Sequence, residues 1–373
     1  MKITVWHAGE VPLSFWESWS EVQQADPRLD SPYFRPEFTQ AVAAVRPDVE
    51  VAVLWRGNER VGFFPFKRRP RNVGVPVGEA MSDFHGMIAR DDVSWEAEEL
   101  VRACRLNAWV FQHLPTWQEP FRPYYWQSMI APYIDLCGTF SADEPGQARR
   151  EPRGFHDANK KWRKFDREVG PLRYEPDITC RGVFATLVQW KREQYRRTKV
   201  RDGLAAPWKV ALLERILMER GEAFFGNLSA LYTGDRLVAI HLGMRSFGVL
   251  HSWFPVYDAA LGRYSPGLLL YYAMCKTASS QGTCRLDLGA GMTRFKESVM
   301  AGAGEVAEGA ADFRVLVRTA RRTWRSTRRW LRSSVLGTPI RAGLTLVRPV
   351  QRWLALRKDS KELPSTAPEG RKS

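Results

Sequence analysis

Val249-Leu250-His251-Ser252-Trp253-Phe254, then Arg263-Tyr264-Ser265-Pro266-Gly267 and the apolar run that starts at Leu268, is the stretch on which the reading of this chain turns. The first six residues read as a strand, and 268–280 as a helix that ends at Gln281-Gly282. Ser265 is a favoured N-cap. Pro266 suits the first helical position, where its missing N–H would be unpaired anyway, and Gly282 suits the left-handed residue after the last turn. A strand that feeds directly into a helix with little bulk in its first turn leaves backbone N–H groups and the positive dipole end open to an anion. Gly267 has no side chain to keep a phosphate off the backbone. The turn therefore reads either as a pyrophosphate cradle or as the start of a well-capped core helix.

The next strand, Cys284-Arg285-Leu286-Asp287-Leu288, ends in Gly289-Ala290-Gly291, and a short helix then presents Arg294, Phe295, Lys296 and Glu297. Asp287 alternates with apolar neighbours on a central strand, where a carboxylate needs a partner; Lys296 or a backbone donor is the obvious one. Asp287 either makes a structural pair or holds an acceptor amine or hydroxyl.

Upstream, Leu231-Tyr232-Thr233-Gly234-Asp235-Arg236-Leu237-Val238-Ala239 matches Leu54-Trp55-Arg56-Gly57-Asn58-Glu59-Arg60-Val61-Gly62 in spacing and residue class. Both read as hairpins with a Gly turn, and the match points to one unit used twice. Before the first hairpin lie a strand at 3–6 and helices over 15–24 and 36–45. After it come a loop containing Ser82-Asp83-Phe84-His85-Gly86, a helix over 95–106, and strands over 108–114 and 127–136. Residues 138–153 are polar and aperiodic, which marks the boundary between two lobes, 1–140 and 150–313. The second lobe opens with a basic helix over 156–169, a strand over 172–175 and helices over 183–196 and 208–220.

Taken in order, the hairpin, the strand, the Tyr-Ser-Pro-Gly helix, Leu-Asp-Leu-Gly-Ala-Gly and Phe-Lys resemble the GNAT acyltransferases. The similar branch is the tandem-lobed one of cellulose- and exopolysaccharide-biosynthesis acetyltransferases and, more distantly, Fem-type aminoacyl transferases. The resemblance runs from about residue 32 to 311 and takes in Ser82–Gly86 and Lys191-Arg192-Glu193-Gln194-Tyr195. It implies an α/β (α+β) fold of two GNAT-like lobes, each a mixed, mainly antiparallel sheet flanked by helices. It also implies acetyl-CoA or another acyl-CoA as donor, with Arg263, Tyr264, Ser265, Pro266 and Gly267 where the family's glycine-rich signature cradles the pyrophosphate. Here that signature has only two glycines, Gly262 and Gly267, and an inserted proline.

Direct acyl transfer needs positioned reactants, an oxyanion site and a proton acceptor. His85 is the first choice for that acceptor, with Asp83 beside it to orient its ring. His241 in the second hairpin is the alternative. Lys191, Gln194 and Tyr195 lie within about a turn of one another on one helix and either contact the acceptor or form a solvated face.

The composition narrows the classes. Of the formal charge of +15, 13 Arg or Lys residues lie between Phe313 and Lys358 with no Asp or Glu, leaving +2 on the rest. The nearly neutral body argues against nucleic acid as partner and ranks transfer from charged tRNA second to transfer from acyl-CoA. Arg314, Arg318, Arg321, Arg322, Arg325, Arg328, Arg329 and Arg332 fall on one helical face, so 314–358 reads as a basic amphipathic tail. Such a tail suits an anionic inner-membrane surface or a polysaccharide synthase, and 359–373 reads as disordered. No apolar stretch is long enough to span a bilayer and no secretory signal is evident, so the expected place is cytoplasmic, peripheral at the inner membrane. The five cysteines are scattered and odd in number, which reads as reduced thiols and no metal site. Three functions stay open: acyl-CoA-dependent acylation of a saccharide or envelope precursor, aminoacyl transfer from tRNA, and an inactive GNAT-fold scaffold.

Overall fold

The computed structural model describes residues 1–137 and 152–314. The expected lobe boundary and all but the first residue of the expected basic tail lie outside the described residues. Met1–Phe313 form one compact unit. In chain order its elements are β1 (Lys2–His7), α1 (Leu13–Ala25), α2 (Pro36–Val45), β2 (Val49–Arg56), β3 (Glu59–Arg69), β4 (Val73–Val75), β5 (Ile88–Ala89), α3 (Ala97–Ala103), β6 (Ala108–Pro115) and β7 (Tyr125–Asp135). They continue with α4 (Ala158–Glu168), β8 (Leu172–Glu175), α5 (Arg181–Arg197), α6 (Pro207–Met218), β9 (Phe225–Thr233), β10 (Arg236–Ser246), β11 (Val249–Tyr257), α7 (Pro266–Ser280), β12 (Arg285–Asp287), α8 (Arg294–Val299) and β13 (Gly302–Asp312).

All strands join one sheet in the order β1-β2-β3-β4-β6-β13-β7-β12-β11-β10-β9-β8, with β5 beside β3. Read from either edge inward, the order is the same unit. An antiparallel run of four strands meets a fifth in parallel, β4 with β6 and β11 with β12. A sixth strand then comes from the other half of the sequence: β13 pairs with β6, and β7 pairs with β12. The exchanged strands pair with each other and close the seam.

The matched hairpins are this repeat seen locally. In the first, Leu54 faces Gly62 and Trp55 faces Arg60, so Val61 is an extra residue; in the second, Leu231 faces Ala239 and Tyr232 faces Leu237, so Val238 is the extra one. The bulges thus fall on equivalent residues, and the turn glycines Gly57 and Gly234 both have positive φ, at 62° and 55°.

One face of the sheet carries a core shared by both halves. It includes Phe15, Trp16, Trp19 and Val22, which share one face of α1, together with Phe38 of α2, Leu187 of α5 and Leu213 of α6. Trp19 stacks on Phe63 with centroids 5.3 Å apart. On the other face each half has its own cluster, Leu100, Trp109 and Phe121 in the first and Leu269, Leu270 and Phe165 in the second.

β13 has no strand-like sequence. Gly302-Ala303-Gly304 and Gly309-Ala310-Ala311 are small and weak in β propensity, and the strand is set by pairing on both sides. Cys137 and Cys284 form a disulfide beside the β7–β12 pair, which corrects the expectation that all five thiols are reduced; Cys104, Cys180 and Cys275 are free.

Candidate active site

β11 and β12 are paired only over Val249–His251 and Arg285–Asp287. Beyond that point β11 runs on to Tyr257 with no strand among the described residues on that side, and the sheet splits. Opposite, Ser252 faces Gly243 while Phe254 faces Leu242, so Trp253 is an extra residue and the ladder to β10 is interrupted. A bulge re-aims the side chains that follow it and leaves the extra residue's backbone unpaired.

A cleft of about 610 Å³ occupies the split, lined by Gly262, Ser265, Pro266, Gly267, Leu268 and Tyr271 at the start of α7. Lys161 of α4, Gln194 of α5, Pro255–Tyr257 of β11 and Phe295 of α8 complete its wall. Helices from both faces of the sheet therefore contribute, and the cleft is a passage between them. A Cβ built on Gly267 would meet only the Tyr257 ring at 3.6 and 3.9 Å, so the space over the first turn of α7 is open.

Of the five residues expected to hold the donor, Ser265, Pro266 and Gly267 line this cleft; Arg263 and Tyr264 do not. Tyr264 is core, its ring 5.2 Å from Phe165 and its hydroxyl 3.1 Å from a Glu168 carboxylate oxygen. Arg263 is exposed and lies over the Tyr264 ring. Pro266 does start the helix, but Ser265 does not cap it with its side chain. It adopts φ 58°, its carbonyl accepts from Leu268 and Leu269, and its hydroxyl accepts from Lys161 Nζ at 3.2 Å. Gly267 keeps the N–H expected to meet an anion, and Lys161, from the expected basic helix, stands beside it.

Lys191, Gln194 and Tyr195 are not a solvated face. Gln194 reaches the cleft, and its buried Oε1 has no partner among the described residues. Lys191 Nζ lies 3.5 Å from the Pro255 carbonyl, and burial lowers its pKa to about 8. Tyr195 packs against the shared core. Tyr271 was missed. Its hydroxyl is 2.6 Å from Ser252 Oγ, and burial raises its pKa to about 12. Sequence offered only an aromatic within an apolar helix.

A second cluster lies where the halves meet, on the shared-core face. Asp83 does not orient His85. Its Oδ2 accepts from His251 Nε2 at 3.1 Å, and its Oδ1 lies 3.6 Å from His113 Nδ1. Burial opposes ionisation of Asp83, but the hydrogen bond from His251 and the charges of His251, His113 and Lys296 outweigh it and hold the carboxyl below its usual range. Gly289, with φ 75°, brings the turn after β12 against this carboxylate, and a Cβ there would sit 2.6 Å from Oδ2.

His85 is buried with Nε2 accepting from the backbone N–H groups of Gln112 and His113 at 3.2 and 3.3 Å. Burial and the nearby charge of His113 push its pKa well down. A neutral ring whose lone pair is already engaged cannot accept a substrate proton, so the structure corrects the first choice of base. His241 is fully buried with neither nitrogen partnered among the described residues, and burial lowers its pKa to about 3.

Asp287 pairs with Arg285 rather than Lys296. Arg285 Nε donates to Asp287 at 2.8 Å, and its two terminal nitrogens grip Asp30 at 2.6 and 2.7 Å. Lys296 Nζ instead donates to the carbonyls of Gly289, Ala290 and Gly291 at 2.9, 3.2 and 3.1 Å, fixing the turn that faces Asp83. No group of His, Cys, Asp and Glu among the described residues is arranged to hold a metal ion, and no described helix is long and apolar enough to cross a membrane.

Residues 153–297 match the family described as the acetyltransferase (GNAT) domain. These residues therefore carry a GNAT acetyltransferase domain, which supports acyl transfer as the chemistry of the second half. No curated protein matches the sequence.

Among solved structures, the chain is similar to the C-terminal DUF2156 domain of a protein described as a lysylphosphatidylglycerol synthetase from Agrobacterium fabrum. The identity is 12% over 82% of this chain and 94% of that one, with a TM-score of 0.54. It is also similar to L-PGS from Bacillus licheniformis (11%; 84% and 96%; 0.52) and to FemX (9%; 83% and 96%; 0.53). At these identities the likeness is one of fold.

Proposed function

We infer that the protein moves an acyl group from acyl-CoA to an amine or hydroxyl of a polar acceptor, of the saccharide or envelope-precursor class. The observation that carries this reading is the cleft that starts at Gly267 and passes through the split between β11 and β12. The Gly267 N–H, the dipole of α7 and Lys161 would hold the pyrophosphate, and the exposed Lys160, Arg163 and Lys164 of α4 suit the third phosphate. Gln194 Oε1 would accept from an amide N–H of the pantetheine arm. The bulge at Trp253 supplies backbone N–H for the oxyanion. Tyr271, which keeps its proton at neutral pH, would protonate the departing thiolate.

Titration calorimetry of the full chain with acetyl-CoA and longer acyl-CoAs, in enough salt to screen the arginines, tests the donor. Saturable binding is expected, and absence of binding to every acyl-CoA overturns the reading. Tyr271→Phe is expected to leave acetyl-CoA affinity within about threefold while lowering turnover about 100-fold, the lower range for a general acid. Equal turnover would remove Tyr271 from the mechanism.

The exposed basic face of α4, which includes Arg167, favours a second reading in which a charged tRNA is the donor. Steep loss of tRNA binding with salt and competition between tRNA and acetyl-CoA would mark it. Failure of both donors would leave the scaffold function. In either enzymatic case the arginine-rich segment 314–358 would place the protein on the cytoplasmic side, at an anionic membrane surface or a polysaccharide synthase.

A further inference from the structure

Lys191 of α5 holds its cation without a counter-charge: burial lowers its pKa, and no carboxylate among the described residues acts on it. Two acids close to it in sequence are engaged elsewhere, Glu193 by Gln189 at 3.0 Å and Asp202 by Arg192 at 3.7 Å. Its Nζ instead donates to the Pro255 carbonyl at 3.5 Å and is walled by the rings of Tyr195 and Phe254, with centroids 5.5 and 5.7 Å away. The direction of that carbonyl fixes where the lysine ends. The Asp258 N–H donates to Val238 on the β10 side, and the backbone groups of an antiparallel strand face alternate sides. The groups of Val256 therefore share the β10 side, and the Pro255 carbonyl points the other way. That other edge of β11 is the one beyond its pairing with β12, where the sheet splits and the cleft runs. Gln194, one turn further along α5, lines the same cleft.

The two faces of the sheet meet this cleft differently. Gly267, Tyr271 and Lys161 belong to the α7 side, whereas α5 packs on the shared-core face, so Lys191 reaches the split from the side opposite the phosphate turn. A donor whose pyrophosphate rests on α7 and whose arm passes through the split presents its thioester toward that side. Lys191 also keeps part of its side chain open to solvent. We propose that the protein transfers an acyl group from acyl-CoA to its own Lys191. The proposal rests on the acyl-CoA reading above. The amine enters neutral, having given one proton to solvent, and its lone pair forms a C–N bond to the thioester carbonyl carbon. The C–S bond breaks with its electron pair going to sulfur, which takes a proton from Tyr271. The new amide nitrogen sheds a proton to solvent and Tyr271 regains one, so the net products are acyl-lysine and free thiol.

The groups that face Lys191 favour the neutral amine. Phe254 and Pro255 of β11 carry no charge, and burial holds the Tyr195 hydroxyl above its ordinary range, so it stays protonated. With the pKa lowered to about 8, an appreciable share of the amine is nucleophilic near neutral pH, as for other desolvated lysines. An amide does not turn over, so the reaction ends at one acyl group per chain. It also removes the cation and sets an acyl group at the mouth of the cleft on the acceptor's side.

The test incubates the full chain with acetyl-CoA and locates acetyl-lysine by mass spectrometry of the digested protein. Lys191 is expected to be acetylated about 10-fold or more faster than the exposed Lys160 and Lys164, by the gain from holding the reactants together. The rate should saturate at the acetyl-CoA concentration that half-saturates binding in calorimetry, and should rise with pH to a plateau above about 8. At low acetyl-CoA it should fall about 100-fold in Gly267→Glu, in step with the affinity. Lys191→Arg should bind acetyl-CoA within about threefold of the wild type and take up no acetyl group at that position. Labelling of Lys191 that rises linearly with acetyl-CoA, or only at the rate of Lys160 and Lys164, would mark ordinary reactivity and overturn the proposal. Saturable binding with Lys191 left free overturns it as well, while the donor reading stands. Protein that binds no acyl-CoA refutes the donor reading and the proposal together, and calorimetry tells the two failures apart.

Discussion

Replacing Gly267 by glutamate is expected to weaken acyl-CoA binding about 100-fold while leaving the protein at least as stable as before. The two effects have opposite signs because the glycine serves the ligand and not the fold. Its φ is not in the left-handed region, and a Cβ there meets only the edge of Tyr257 at ordinary contact distance. As the second residue of α7, glutamate improves on glycine by about 0.5–1 kcal/mol in helix propensity, and its carboxylate adds about 0.3–1 kcal/mol against the helix dipole. The same carboxylate stands where the pyrophosphate would sit, beside Lys161, and replaces attraction by repulsion. Affinity should fall on the order of 100-fold, about 2.7 kcal/mol. Thermal melting and calorimetry read the two effects separately; unchanged affinity would move the phosphate site away from this turn.

Arg285→Met should have the largest effect on stability, about 3–5 kcal/mol, with a drop in melting temperature of order 5–10 °C. Arg285 holds Asp30 and Asp287 at once, and its loss leaves two carboxylates, one of them buried, without their cation. Asp30 sets the pH dependence. Burial already raises its pKa above the ordinary value despite the hydrogen bond and charge of Arg285, and removing the arginine raises it further. A raised carboxyl pKa means that the folded state binds the proton more tightly than the unfolded chain, so stability from this group is present at low pH and lost as pH rises through the folded pKa. The deficit of the variant should therefore be smaller near pH 4–5 than near pH 8, against an unfolded value of about 3.9. A deficit that does not change with pH would show that Asp30 is not the group left uncompensated.

Local pattern and turn chemistry carried the hairpins, the start of α7 and the repeat, because bulges and Gly turns leave their mark within ten residues. Gly282 has the left-handed conformation that its place after α7 called for, at φ 77°. Contacts between distant segments were the hidden part. Sequence placed His85 two residues from Asp83, but a loop side chain chooses its partners in space, and those of Asp83 lie 30 and 168 residues away. Asp287 likewise found Arg285 two positions along its own strand, on the same face, where spacing by two would have nominated it ahead of Lys296. Tyr271 and Gln194 gave no signal beyond amphipathic periodicity, since what makes them site residues is the split between β11 and β12. β13 shows the limit of propensity, with a strand made from alanine and glycine because two neighbours impose it.

The exchange of β7 and β13 also sets an order of events in synthesis. The inner edge of β6 stays bare until β13, almost two hundred residues later, has left the ribosome. At about 5–20 residues per second that interval is roughly 10–40 s. During it the first half presents an unsatisfied row of backbone groups, the template on which strands of other chains can pair. A nascent chain of this protein therefore depends on β13 to finish its first domain, and a stop anywhere before that strand leaves both halves open rather than one half complete.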